Sequence, residues 1–181
     1  MHYCLGVGVV QDKENKQIWL HQGQYIEKIV KKFGQTEAKT VSTPADLNVK
    51  LEKNDGVSKT VDPTQYQSIV GSLLYAAIAT RSDIAQAVGV VSKFSASPTE
   101  AHLTAAMRIL RYLKGTGDLG LKYTMSDNGT LVGYVDADWA GDFDDGRSTS
   151  GNLFMLAKGA VSWMSKKQAT VALSTTEADG T

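Results

Sequence analysis

Cysteine is almost missing: Cys4 is the single one in 181 residues. That excludes a disulfide framework and a cysteine-rich zinc site, and its place in an apolar run predicts a buried, inert side chain. An excess of either charge is missing too. Lys plus Arg and Asp plus Glu number 19 each, so net charge gives no pointer to nucleic acid and only local charge can. No apolar stretch reaches bilayer-spanning length; the longest candidate, Ile69 to Ala79, is too short. The N-terminus lacks a basic segment followed by a long apolar region, so it does not read as a secretory signal. No internal repeat is visible. What is present is a hydrophobic fraction of 42%, enough for a core and too much for wholesale disorder. The length suits one ordinary domain or two small ones.

The apolar runs Tyr3 to Val10 and Ile18 to Leu20, with a polar turn between them, predict a β-hairpin. Gly6 and Gly8 inside the first run predict a bulge or a close backbone approach. Gln22 to Phe33 has helical period: Ile26, Ile29, Val30 and Phe33 fall on one face, Lys28, Lys31 and Lys32 on another, and Gly34 ends it. Residues 36–61 show no sustained period and read as a loop or linker, long for a compact domain. Asp62-Pro63-Thr64-Gln65 is a helix start, with a capping aspartate and proline at the first helical position. That helix should reach about Ala79, and Ser82 to Phe94 forms a second. Ser97-Pro98-Thr99-Glu100 reads as a capping box opening a third, to about Lys114, with Leu103, Ala106, Met107, Leu110 and Leu113 buried.

The last third changes to strand patterns: Leu119 to Tyr123, Leu131 to Trp139, Gly151 to Ala157 and Ala160 to Trp163, with Ser126 to Gly129 as a turn and Lys158-Gly159 as a tight hairpin. Ser174-Thr175-Thr176-Glu177 is another capping box, and the sequence stops where that helix begins, which reads as a truncated domain.

Among charged groups, Lys28, Lys31 and Lys32 form one basic strip, Arg108, Arg111 and Lys114 (followed by Lys122) a second, and Lys166 with Lys167 a third. Each alone reads as an ordinary solvated face; only in a chain of the family resembled below do the three together suggest phosphate contacts. Asp136, flanked by Val135 and Ala137, is either a polar residue near a strand end or a functional carboxylate, and Asp138 should share its face. Asp142, Asp144 and Asp145 read as a solvated turn rather than a cation site. His2, His21 and His102 have no metal-ligand spacing and read as surface or packed residues.

Several segments, in order, carry one resemblance. Residues 3–10 resemble the primer-grip strand of reverse transcriptases. Ser42-Thr43-Pro44, residues 68–75 and residues 108–116 resemble the thumb and connection of copia-type LTR-retrotransposon Pol polyproteins. Residues 136–142, 148–151, 165–168 and 172–178 resemble the start of their ribonuclease H. Three departures accompany it. The Tyr-x-Asp-Asp polymerase motif is absent. Asp179 and Gly180 stand where the family has Glu and then Tyr. The later ribonuclease H carboxylates would lie beyond Thr181. Ser82 also replaces a proline usual in the family.

The resemblance implies an α+β chain: a primer-grip hairpin and thumb helix at 1–35, a linker at 36–61, a helical thumb or connection at 62–117, and a truncated ribonuclease H-like antiparallel sheet at 118–181. It implies that Asp136 and Asp179, with Glu177 as the alternative to Asp179, would be the catalytic carboxylates and would bind Mg2+, which takes hard oxygen ligands. Asp136 should project from a central strand toward the segment beginning at Ser174. The implied partners are an RNA–DNA hybrid or template–primer duplex and the rest of the Pol polyprotein, without a membrane. The implied place is the cytoplasm, in a virus-like particle of the parent element, with the nucleus as the alternative. The parent family makes DNA on RNA and hydrolyses the hybrid; this chain alone should do neither, and a non-catalytic duplex-binding module is the alternative reading.

Overall fold

A computed structural model describes residues 2–46, 48–53, 56–125, 129–138 and 147–169. The chain is α+β. In order the elements are β1 (His2–Cys4), β2 (Val7–Asp12), β3 (Gln17–His21), α1 (Gly23–Lys32), α2 (Pro63–Ala79), a 3-10 turn at Ser82–Ile84 that leads into α3 (Ala85–Ser92), α4 (Glu100–Gly115), β4 (Gly120–Thr124), β5 (Val132–Asp138), β6 (Thr149–Leu156) and β7 (Gly159–Lys167). They form a four-stranded sheet, β1-β2-β3-β4, and a three-stranded sheet, β5-β6-β7. Two compact units result: Met1–Val10 with Trp19–Leu121, and Gln11–Ile18 with Lys122–Thr181.

The first unit owes its core to helices with apolar stripes. Ile26, Ile29 and Val30 of α1, six residues of α2, Ile84 with Ala87, Val88 and Val91, and Ala106, Ile109, Leu110 and Leu113 of α4 pack as one cluster. Helix α2 starts where Asp62 accepts from the backbone N–H groups of Thr64 (3.0 Å) and Gln65 (3.3 Å), two donors that the first turn leaves without an intrahelical partner. Helix α4 begins at Thr99 rather than at Ser97. The box that caps it joins Thr99 to His102, with the His102 ring in the place expected for a carboxylate. The Thr99 N–H donates to His102 Nδ1 (2.9 Å), which leaves the proton on Nε2, where it reaches the carbonyl of Glu52 at 2.9 Å. The ring also stacks on Phe94 at 3.9 Å. His102 and Ile109 therefore join the buried face, while Leu103 and Met107 of the expected stripe are only partly buried.

The run Tyr3 to Val10 is not one strand. Leu5 (φ 49°) and Gly6 (φ 79°) lie in the left-handed region and turn the chain back, so that Tyr3 pairs with Gly8 and Cys4 with Val7. Gly8 is the close approach: a Cβ there would meet the His21 ring at 2.7 Å. Cys4 is exposed, contrary to the reading of its apolar neighbours, because β1 is a three-residue strand at the end of the sheet.

In the second unit β5, β6 and β7 are antiparallel neighbours, with Asp136 opposite Gly151 and Gly151 opposite Ser165. Among the described residues β5 is an edge strand and β6 the central one, so the expected central position of Asp136 is corrected. The tight turn before β7 uses Ala157 (φ 52°) and Lys158 (φ 65°), not Lys158-Gly159. Gly159 is instead the first residue of a longer strand, and it is glycine because a Cβ would meet the Tyr123 ring at 2.5 Å and the Lys122 carbonyl at 2.6 Å.

Candidate functional site

The three basic strips have different environments. On α1, Lys28, Lys31 and Lys32 are exposed on the side away from Ile26, Ile29 and Val30. Lys31 and Lys32 sit in the last turn, where the helix dipole favours cations. The Lys32 ammonium donates to Ser68 Oγ of α2 at 3.0 Å and lies 4.8 Å from the Phe33 ring centroid.

The same side of α1 continues into an aromatic group that the sequence pattern does not single out. The Tyr25 hydroxyl donates to the Ser72 carbonyl at 3.0 Å, and its ring meets Tyr75 edge-on at 4.9 Å. Burial raises the Tyr25 phenol above its ordinary value. The Tyr75 hydroxyl in turn donates to the Leu5 carbonyl in the β1–β2 turn. Leu5 itself is 86% exposed at the tip of that turn. The sequence signal for these residues is faint: Tyr25, Lys28 and Lys32 stand at i, i+3 and i+7, the spacing of one helix face.

The α4 strip is differently engaged. Arg108 holds Thr43 Oγ1 (2.9 Å) and Asp46 (3.5 Å), Arg111 Nε donates to the Lys39 carbonyl (2.7 Å), and the Lys114 ammonium donates to the carbonyls of Thr36 (2.5 Å) and Ala38 (2.9 Å). The strip thus fastens the segment at 36–46, which has no helix or strand, to α4. Lys166 and Lys167 are neighbours on β7 and so point to opposite faces of the sheet; Lys167 lies in the row of Thr149 and Asp138, and Lys166 faces Ser150.

The Asp136 carboxylate is exposed on the face that also carries Tyr134 and Asp138. The residue opposite is Gly151, whose missing side chain leaves room beside the carboxylate. No group of three His, Cys, Asp or Glu side chains able to hold a metal occurs among the described residues, so these residues alone do not build a magnesium site. Asp179, Glu177 and Ser174, together with Asp142, Asp144 and Asp145, lie outside the described residues. Of the histidines, His102 is buried in its cap, His21 is half-buried and His2 is exposed.

Elsewhere in the first unit a charged knot is buried. Arg81, 1% exposed, donates to both oxygens of Asp83 (2.9 and 2.7 Å), to the Thr116 carbonyl (2.9 Å) and to Thr116 Oγ1 (2.7 Å). The Tyr112 hydroxyl completes it on Asp83 at 2.8 Å. Burial pushes the Asp83 carboxyl up, but the Arg81 hydrogen bonds and charge, with the Tyr112 hydroxyl, outweigh it and hold the group below its usual range. This is a structural device: it caps the end of α4 and anchors the 3-10 turn.

A two-unit α+β chain with an exposed lysine face in one unit and a carboxylate on an exposed strand in the other is the class these observations define. The chain is 45% identical over 180 residues to the retrovirus-related Pol polyprotein from transposon TNT 1-94 of Nicotiana tabacum, a match over 97% of this chain and 14% of that protein. It is 43% identical over 179 residues to the retrovirus-related Pol polyprotein from transposon RE1 of Arabidopsis thaliana, over 99% of this chain and 12% of that protein. A third match, 54% identical over 112 residues, covers 62% of this chain and 79% of secreted RxLR effector protein 161 of Plasmopara viticola. No family model matches the sequence, and no solved structure matches it. The chain belongs to the family of copia-type retrotransposon Pol polyproteins. It spans about an eighth of the length of the transposon polyproteins it matches.

Proposed function

We propose that the first unit is the thumb and connection of a reverse transcriptase and the second the beginning of its ribonuclease H. On this reading the piece of the polyprotein represented here grips an RNA–DNA hybrid or template–primer duplex through α1. The carrying observation is the exposed row Lys28, Lys31 and Lys32, on a helix whose other face is buried in the core. Three cations on one helix side match phosphates along a groove and give affinity without sequence preference. Arg108, Arg111 and Lys114 support the grip indirectly, by holding the 36–46 segment. Lys166 or Lys167, whichever face of the sheet meets the duplex, would add a phosphate contact.

Asp136 would supply one oxygen ligand to Mg2+, with Asp179, or Glu177 in its place, as its partner. The ion, when bound, would activate water and stabilise a leaving oxygen. Exposure of Asp136 beside Gly151 supports that role; the described residues do not complete the site. The chain alone should therefore neither synthesise DNA nor cleave a hybrid, and binding is the activity to test.

The test is affinity for a short RNA–DNA hybrid as a function of salt. Replacing Lys28, Lys31 and Lys32 by Glu should weaken binding at least tenfold. It should also flatten the dependence of log affinity on log salt by about 0.9 for each phosphate no longer neutralised. Unchanged affinity and slope would reject the reading.

A further inference from the structure

We propose that His102 is a proton-operated latch: with a neutral ring it fastens the connection from Glu52 to Val61 onto the start of α4, and with a charged ring it lets that connection go. The latch stands apart from the α1 grip. Two in-plane partners fix the charge of the ring. A carbonyl only accepts, so Nε2 must carry a proton to reach Glu52 at 2.9 Å. A main-chain N–H only donates, so Nδ1 must be bare to receive Thr99 at 2.9 Å. One proton on two nitrogens is a neutral imidazole. A second proton, on Nδ1, would set N–H against N–H. The Thr99 hydroxyl, 3.1 Å from Nδ1, could accept that proton instead. The ring would then have to turn from the main-chain N–H and strand it without an acceptor, at a residue 3% exposed.

The Phe94 ring stacked on the imidazole does not oppose the charge, because an aromatic face attracts a cation. Discrimination between the two states therefore rests on Thr99. The charged side chains on the described segments around the ring are Lys93 beside Phe94, then Lys50, Glu52, Lys53 and Lys59 before α2, and Glu100 on α4. All six are exposed, and Lys59 is paired with Glu100. Solvent screens them, so their part in the titration of the buried ring is small. Thr99 is also where the connection is stitched down. It forms a bridge with Thr60, flanked by the Glu100 N–H on the Lys59 carbonyl (3.0 Å) and the Val61 N–H on the Pro98 carbonyl (3.0 Å). Turning the ring thus frees Glu52 and loosens the bridge in one step.

The experiment is amide hydrogen exchange on the whole chain at about pH 7.5 and about pH 5, on either side of the ordinary imidazole value near ~6.5, with each rate taken relative to an unstructured peptide at the same pH. A proton that the closed form refuses and the open form accepts favours opening by roughly thirtyfold across that interval. The amides of Thr99, Glu100 and Val61 should lose about that much protection, while Leu110, buried in the middle of α4, keeps its own. His102→Gln supplies a side chain that closes the same kind of box without titrating, and its Thr99 protection should be equal at the two pH values. A change under about twofold at Thr99 in the wild type would overturn the latch. So would an equal loss at Leu110, which is acid unfolding of the whole unit, or a parallel loss in the Gln variant. If that variant does not fold, nitrogen NMR of the wild-type ring decides. A bare Nδ1 at the higher pH, protonated in step with the loss at Thr99, supports the latch; a proton on Nδ1 throughout overturns it.

Discussion

Arg81 brings a full charge into the core with the Asp83 carboxylate beside it, and the pair is asymmetric: the guanidinium is 1% exposed and the carboxylate 35%. Removing Asp83 leaves the guanidinium with Thr116 and the Tyr112 ring, 5.5 Å away, and no countercharge from Asp83. We expect Asp83→Ala to cost about 2 kcal/mol, below the 3–5 of a fully buried pair because water screens the carboxylate, measured as a lower urea midpoint. Because the folded-state value of Asp83 is depressed, its contribution is complete above the ordinary carboxylate value and is lost as pH falls through the folded one. Asp83→Asn should therefore flatten the acid limb of stability against pH. The sequence displays none of this, since Arg81-Ser82-Asp83 reads as a polar loop until Thr116 and Tyr112 are seen to converge on it. Tyr66 is a second residue of this kind. Its hydroxyl donates to the Val91 carbonyl at 2.7 Å, and burial drives its pKa far above the ordinary phenol value. Tyr66→Phe removes that hydrogen bond, leaving the carbonyl its Phe94 N–H donor (3.2 Å), and should cost about 1 kcal/mol.

Elements are legible in the sequence wherever the signal is local. The aspartate and proline at 62 and 63 mark the start of α2, and Gly34 with φ 67° marks the end of α1. Signals that depend on partners are not legible. A box at Thr99 cannot be told from one at Ser97, because what decides it is an imidazole also held by Glu52 and Phe94. His102→Ala should remove the cap, the stack and the link to residue 52 together, and lower stability by about 2 kcal/mol, above the cost of a cap alone. Gly159 shows the same limit. Its neighbours suggest a turn, whereas the requirement comes from Tyr123, far away in sequence. Gly159→Ala should disturb the pairing of β6 with β7 and broaden the amide signals of that hairpin.

For the whole molecule, pattern gives helices and strands in their order along the chain, but not the grouping that puts β4 beside β3 and leaves β5, β6 and β7 as a separate sheet, and the functional surfaces are only half visible. The lysines of α1 stand out by spacing; the tyrosines that join them to the hairpin do not, because aromatic residues on a helix usually read as core. The α4 cations look equivalent to those of α1 in sequence, and only coordinates separate a strip facing outward from one engaged with backbone carbonyls. At this scale the exposed strand β5 also matters. Val132, Tyr134 and Val135 are 43%, 57% and 70% exposed on a strand that is an edge among the described residues. Such an edge pairs readily with another chain. Val135→Lys should reduce concentration-dependent light scattering of the isolated chain.

The fastening of residues 36–46 has a bearing on how this stretch can vary. Lys114 and Arg111 grasp main-chain oxygens of Thr36, Ala38 and Lys39, and those oxygens are offered by any amino acid. Glu37 and Lys39 are exposed and can drift freely in a library of random variants, so long as the path of the chain is kept. A scan of every substitution should accordingly find positions 37 and 39 tolerant, Thr43 and Asp46, whose side chains Arg108 holds, less so, and an intolerant pair of cations on the helix beneath them.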